Sequence, residues 1–105
     1  MYQKLLTEEI KRQLPKLGSM DGKNSATVPI IVKFFSPYNG WSWYAVEGEE
    51  VDEDWEFFGL VRGFETELGY FRLSELDIKR GQLPLVERDM HFGMHTLAEA
   101  QAKQI

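Results

Sequence analysis

The chain has 105 residues, enough for one hydrophobic core and too few for two, so we expect a single domain. Its hydrophobic content of 43% and charged content of 28% are typical of a folded protein and exclude a disordered one. The lack of cysteine excludes a disulfide framework, a thiolate zinc site and a cysteine nucleophile.

The net charge of −5 argues against binding that depends mainly on phosphate attraction. Most of it comes from residues 41–80, where four Lys and Arg residues stand against eleven Asp and Glu residues. The first ten residues, MYQKLLTEEI, lack the features of a signal peptide. No apolar run approaches the roughly 20 residues that span a bilayer. We therefore expect a cytoplasmic protein that binds no membrane.

The segment TEEIKRQL predicts the first helix. Thr7 can cap free backbone amides, and the two glutamates after it complement the positive end of the helix dipole. Pro15 disfavours helical geometry at Leu14 and predicts that the helix ends there. The polar stretch LGSMDGKNSAT that follows indicates a loop.

Four strand-like runs come next, within residues 28–73. The first, VPIIVKFFSP, predicts a strand with Val28, Ile30, Val32 and Phe34 on one face. The runs WSWYAVEG, DWEFFGLVRG and LGYFRL also have the composition or the alternation of strands. No helix-length connection separates the four runs, which favours an antiparallel meander over a parallel sheet.

The last third of the chain predicts two more helices. Residues 74–81, SELDIKRG, predict a helix that Ser74 caps and Gly81 ends. LPLVERDMHF is the candidate for a fifth strand, and Pro84 favours an edge position for it. The TLAE pattern from Thr96 fits a capping box and predicts a terminal helix. The expected fold is α+β: a four- or five-stranded, mainly antiparallel sheet with about three helices packed on one face.

Long motifs cover nearly the whole chain, from about Leu5 to Leu97. They are LLT at 5–7, LP-x-LGS at 14–19, KFFSP at 33–37, W-x-WY at 41–44, FFG-x-V-x-G at 57–63, ELGYF-x-LSEL at 67–76 and ERD at 87–89. On these motifs the chain resembles an uncharacterised bacterial family, domain of unknown function family two-nine-five-eight. The resemblance implies a small stand-alone protein, commonly encoded on plasmids and other mobile genetic elements. It implies no known reaction and no catalytic residue.

Residues 41–59, WSWYAVEGEEVDEDWEFFG, combine six aromatic residues with a run of acid. Seven Asp and Glu residues fall between positions 47 and 56, with no Lys or Arg among them. We interpret the run as a solvated hairpin tip that discourages edge-to-edge aggregation. The alternative is that the acids imitate phosphates and bind a basic groove on a protein partner. The acids proposed for such binding are Glu49, Glu50, Asp52, Glu53 and Asp54.

The aromatic candidates for a binding surface are Trp41, Trp43, Tyr44 and Trp55. Aromatic residues on a sheet stack bases in proteins that bind single strands, but those platforms usually sit beside Lys and Arg. Here the neighbours are acidic. We favour core packing with cross-strand aromatic pairs. The alternative left open is that one or two tryptophans line a groove that binds a peptide or a small ligand.

The segment ERDMHFGMH contains the only two histidines. In a strand, Glu87, Asp89 and His91 would point to one side, and His95 could fold back after Gly93. Carboxylates and imidazoles placed together suit a metal site or an acid–base pair. The simpler interpretation is a hydrogen-bonded surface patch.

No phosphate-binding loop and no nucleophile elbow is present in the sequence. We therefore predict a protein without a cofactor, and a non-enzymatic binding or adaptor module that acts on a protein partner. Two alternatives stay open. One is a single-stranded nucleic-acid accessory protein, which the charge disfavours. The other is a metal-dependent enzyme centred on residues 87–95.

Overall fold

A computed structural model describes residues 4–105. The main sheet contains β2 (Val32–Phe35), β3 (Ser42–Val51), β4 (Asp54–Arg62), β5 (Thr66–Arg72) and β8 (Glu87–Arg88). These five strands are antiparallel and lie in the order β5-β4-β3-β2-β8. Because β2 to β5 follow one another both in sequence and in space, the predicted meander and the α+β class are confirmed.

Short elements surround this sheet. The helices are α1 (Glu8–Gln13), α2 (Leu73–Leu76) and α3 (Leu97–Gln101), with a 3₁₀ helix at Ser25–Thr27. Four strands of two residues each lie outside the main sheet: β1 (Pro29–Ile30), β6 (Lys79–Arg80), β7 (Leu83–Pro84) and β9 (His95–Thr96). β1 pairs with β9, and β6 pairs with β7. Within residues 4–105, no helix is both long enough and apolar enough to cross a membrane.

Buried apolar residues cover both faces of the sheet. We call the face that bears Ala45 and Phe57 the front, and the face that bears Tyr44 and Leu60 the back. Leu76 of α2 belongs to the front cluster, whereas α3 packs on the back cluster. The prediction that the helices lie on one face was therefore wrong. In β3 and β4, consecutive residues along the strand are apolar and point to opposite faces of the sheet. Both faces must therefore be buried by other parts of the chain.

The run VPIIVKFF forms two strands rather than one. Its pairing partner changes at Ile31, because β1 pairs with β9 whereas β2 pairs with β3. Val28 and Ile30 consequently join the back cluster, and Val32 and Phe34 join the front cluster. The prediction that these four side chains share one face was wrong, since strict alternation fails where the chain leaves the sheet.

Local capping signals predicted two helices correctly. The Thr7 hydroxyl accepts a hydrogen bond from the backbone N–H of Ile10 at 3.2 Å, and α1 ends before Leu14. At α3, Thr96 and Glu99 form the predicted capping box, in which each side chain accepts from the other's backbone N–H. Both helices begin where a side-chain oxygen satisfies free amides, which is why the sequence alone locates them.

The predicted helix over residues 74–81 was wrong in both of its bounds. α2 is a single turn whose N-cap is Arg72, and Ser74 lies inside it. Gly81, with φ of 63°, lies in the turn between β6 and β7 instead of ending a helix. Only Glu87–Arg88 of the predicted fifth strand, LPLVERDMHF, form a strand of the main sheet, and this strand, β8, lies at its edge. Pro84 belongs to the β6–β7 hairpin.

Gly59 marks the closest approach of β3 and β4. A Cβ at this position would collide with the Tyr44 carbonyl and the Ala45 backbone. Gly69 lies directly opposite on β5, where a Cβ would have no heavy atom within 4 Å.

We predict that Gly59→Ala lowers the free energy of unfolding by at least about 2 kcal/mol, because two central strands must separate to admit the methyl group. The matched variant Gly69→Ala should change it by less than about 0.5 kcal/mol. Urea unfolding of both variants measures the difference. Equal effects of the two substitutions would contradict the close approach at Gly59.

Candidate binding groove

The first part of the acidic run faces the interior. Glu47 is only 1% exposed, and its two carboxylate oxygens accept hydrogen bonds from the backbone N–H groups of Gly18, at 2.8 Å, and Met20, at 2.6 Å. Glu49 accepts one from the N–H of Leu17 at 2.8 Å. Three charge-assisted bonds therefore fix the loop after α1 against β3.

The last part of the run is also bonded within the protein. Asp54 accepts hydrogen bonds from the hydroxyl of Ser74, at 2.5 Å, and from the N–H of Trp55, at 2.8 Å. The Ser74 bond in particular holds the pKa of Asp54 below its ordinary value. Glu56 forms an ion pair with Arg72 at 3.0 Å across β4 and β5. These acids stabilise the sheet.

Glu50, Asp52 and Glu53 are the exposed acids at the hairpin tip. Asp52 and Glu53 have φ of 52° and 65°, which is the geometry of a two-residue type I′ turn. The interpretation of the run as a solvated tip describes these three residues. The interpretation was wrong for Glu47. A β-bulge after Ala45 changes the direction of the side chains in this part of β3, and Glu47 contacts the loop after α1.

The aromatic residues of the hairpin divide between core and surface. Tyr44 is 1% exposed, and its hydroxyl accepts a hydrogen bond from Nη1 of Arg62 at 2.9 Å. It therefore offers no binding surface. Trp55 packs beneath α1, where the Lys11 ammonium lies 5.6 Å from the ring centroid. Trp41 and Trp43, by contrast, both line a groove.

This groove encloses a cavity of about 470 Å³. The indole rings of Trp41 and Trp43 lie 6.0 Å apart, centroid to centroid, and are inclined by 40°. The lining comes from two parts of the chain. We call the β2–β3 turn with the two indoles the first wall, and the residues around the β6–β7 hairpin the second wall. The apolar residues that complete the lining are Tyr38, Ile78, Leu83, Leu85 and Val86.

Two turns give the groove its shape. The first is the β2–β3 turn, where the N–H of Ser36 donates to the Trp41 carbonyl at 2.9 Å and the Asn39 side chain accepts from the Trp41 N–H at 3.0 Å. The second is the β6–β7 hairpin, which the N–H of Leu85 closes by donating to the Ile78 carbonyl at 3.0 Å. Backbone bonds therefore position both walls.

The side chain of Arg80 places a positive charge at the groove. Arg80 is exposed, lines the cavity and pairs across the hairpin with Leu83. Among the residues that the structure describes, no carboxylate forms an ion pair with it. The nearby Glu75 carboxylate accepts from the backbone N–H of Arg72 at 2.6 Å. An apolar cavity with a cation at its edge suits an apolar group that has a carboxylate beside it.

The sequence did not reveal the second wall of the groove. Ile78 and Leu83 of this wall are 44% and 61% exposed, so two large apolar side chains near the hairpin face solvent beside the cavity. A signal was present in the sequence, because Ile78 and Leu83 flank Gly81 at hairpin spacing. We interpreted that glycine as a helix end, and so the wall was missed.

The candidate metal ligands were Glu87, Asp89, His91 and His95. Glu87 lies in β8 and His95 in β9, whereas Asp89 and His91 lie in neither strand, so the predicted alternation of Glu87, Asp89 and His91 along one strand is not formed. Asp89 faces Lys33 at 4.0 Å, whereas His95 pairs with Glu99 at 3.2 Å. In the described part of the chain, no three His, Asp or Glu side chains lie close enough to hold a metal ion.

Within residues 4–105, three carboxylates have a lowered pKa, and none of them lines the groove. A hydrogen bond from the Lys11 side chain lowers the pKa of Glu8. The backbone N–H of Thr96 lowers the pKa of Glu99. With Asp54, these groups stabilise helix starts and a strand–helix contact. Their shifts have structural causes and do not indicate a catalytic acid.

The family described as Protein of unknown function (DUF2958) matches residues 5–103. The chain belongs to this family. The DUF2958 match confirms the resemblance inferred from the sequence motifs. No curated protein and no solved structure is significantly similar to this DUF2958 chain.

In this DUF2958 protein, Glu47→Ala should lower the free energy of unfolding by about 3 kcal/mol, because the amides of Gly18 and Met20 lose their charged acceptor. Glu50→Ala, at the exposed tip, should change it by less than about 0.5 kcal/mol. Urea unfolding at neutral pH compares the two variants. A similar small effect of both would show that the acidic run acts as one solvated tip.

Proposed function

We propose that this protein is a non-enzymatic binding module that holds a protein partner in the Trp41–Trp43 groove. The observation that supports the proposal is the groove itself, a cavity of about 470 Å³ that is lined by two indole rings and by the exposed apolar side chains of Ile78 and Leu83. Sites of this size commonly accept one or two side chains or a small ligand. Exposed aromatic residues are also the side chains that contribute most to protein interfaces.

The occupant that fits best is an extended segment of a partner protein with a large apolar side chain beside an Asp or Glu. The apolar side chain would lie between the indoles and Leu83. The carboxylate would accept hydrogen bonds from the Arg80 guanidinium, whose planar fork matches it. Both turns that shape the groove are closed by backbone bonds, so little ordering would be needed on binding.

A protein occupant fits the charge better than a nucleic acid does. The chain has a net charge of −5, and Arg80 shares the groove with Glu75. Platforms for single strands combine stacking aromatics with a continuous positive groove, because phosphate contacts provide much of the affinity. The aromatic pair is present here without that positive path.

The setting we propose is a bacterial mobile genetic element, which the motif resemblance implies, with the protein acting in the cytoplasm as an adaptor. The tip acids are a weaker basis for the proposal than the groove. Only Glu50, Asp52 and Glu53 remain exposed to imitate phosphates. The groove, in contrast, combines apolar area with one cation, and so defines the kind of segment that it would select.

Selection from a random peptide library on phage, with the full chain immobilised, tests the proposal. Peptide binding to the unaltered chain is compared with binding to the variant Leu83→Asp. This substitution places a carboxylate in the cavity and opposite Arg80 on the hairpin. We expect enriched peptides to contain an aromatic or aliphatic residue next to Asp or Glu. They should bind Leu83→Asp at least about tenfold more weakly than the unaltered chain.

The control is Met94→Asp, which adds the same charge at a residue that is 96% exposed and outside the groove. It should leave peptide binding unchanged. No enrichment, or equal binding to all three proteins, would refute the proposal. A nucleic acid would replace the protein partner if an oligothymidine binds the unaltered chain, competes with the peptides and loses affinity when Leu83 is changed.

A further inference from the structure

β5 is a long and open edge of the main sheet. It has seven residues, and all of them pair with β4 without a register break. No strand among residues 4–105 pairs with its outer side. The opposite edge strand, β8, has only two residues. Alternate residues of β5 therefore direct their N–H and C=O groups away from the sheet.

This edge has two charged residues, Glu67 and Arg72, but lacks several other features that usually prevent strand pairing. Its sequence, TELGYFR, contains no Pro and no Lys, and no bulge interrupts it. Leu68 and Tyr70 are 46% and 65% exposed. As residues two apart in a strand, they project from the same face. Such a strand is suited to pairing with a further strand.

We infer that two copies of this chain pair through β5, antiparallel and with a two-fold axis at Gly69. This residue is the centre of Thr66–Arg72, so the register matches every residue of one strand with a residue of the other. Leu68 of each copy then lies opposite Tyr70 of the second copy. Cross-strand pairs of aromatic and aliphatic side chains stabilise antiparallel strands.

The charges fit this register. Glu67 lies opposite Phe71 of the second copy, and Arg72 lies opposite Thr66, so no like charges face each other. A register centred on Glu67 would instead place the two Glu67 side chains together and leave the ends of both strands unpaired. At the axis Gly69 faces Gly69, and its Cβ position is open within the monomer. The strand is therefore complementary to itself.

The pairing would join two five-stranded sheets into one of ten strands. The groove at Trp41 and Trp43 contains no residue of β5, so both copies keep it. A dimer would present two grooves to one partner or to a repeated segment, which raises apparent affinity without new contacts. The inference does not depend on the proposed function, since the groove and the edge share no residue.

Charge exchange on β5 tests the pairing. The variant Leu68→Lys/Tyr70→Lys sets Lys opposite Lys across the axis, and Leu68→Glu/Tyr70→Glu sets Glu opposite Glu. Sedimentation equilibrium should give twice the chain mass for the unaltered protein and the chain mass for each variant. An equimolar mixture of the two variants should recover the dimer, because opposite charges then face each other. Recovery also shows that both variants are folded.

The control is Met90→Lys/Met94→Lys, which adds two charges at residues that are 61% and 96% exposed and outside β5. It should remain a dimer. A monomeric unaltered protein, or Leu68/Tyr70 variants that dimerise like the control, would overturn the inference.

A cysteine scan tests the register, because the chain has no cysteine of its own. In an antiparallel pair, opposed Cα atoms lie about 4.5–5.5 Å apart, within the range that a disulfide spans. Gly69→Cys should therefore form a disulfide-linked dimer under mild oxidation. Glu67→Cys, whose copy lies four residues away in this register, should not. The reverse result would contradict pairing about Gly69.

Discussion

The buried carboxylate of Glu47 is the constraint on which the rest of the structure depends. A charged group with 1% exposure is costly unless its oxygens are hydrogen-bonded, so the loop after α1 must present the amides of Gly18 and Met20 to it. The N–H of Gly48 donates to the Pro15 carbonyl at 2.9 Å and fixes the same loop to β3. Side-chain and backbone bonds therefore join the first part of the chain to the middle of the sheet.

This connection divides the segment of residues 41–59 into two parts. At the Glu47 end, the strand is held by internal bonds and is not available to a partner. At its beginning, Trp41 and Trp43 line the same cavity as residues around the β6–β7 hairpin. A site on a strand that is fixed along its length is already formed before a ligand arrives, which reduces the entropic cost of binding.

The features that the sequence revealed depend on near neighbours along the chain. The caps at Thr7 and Thr96 bond to amides three residues away, and the alternation in β3 and β4 is a local pattern. The role of Glu47 was hidden because its partners Gly18 and Met20 lie 29 and 27 residues earlier. The change of partner at Ile31 was hidden for the same reason, since β9 lies near the end of the chain.

The candidate site was only half predictable. The tryptophans of one wall stand out in the sequence, and a groove lined by them was one of the alternatives to core packing, beside base stacking. The opposite wall comes from a hairpin whose Gly81 resembles a helix end. Helix and turn signals around glycine overlap, so the tertiary pairing of β6 with β7 decides between them. Without that pairing, neither the cavity nor the position of Arg80 follows from the sequence.

The most direct measurement is ¹⁹F NMR of protein labelled with 5-fluorotryptophan, titrated with millimolar N-acetylphenylalaninamide. The three tryptophans give three resonances, which single Trp→Phe variants assign. The account predicts that the resonances of Trp41 and Trp43 shift together, while that of Trp55, packed beside Lys11, does not. A shift of Trp55 alone, or no shift of any resonance, would contradict a preformed recognition groove at Trp41 and Trp43.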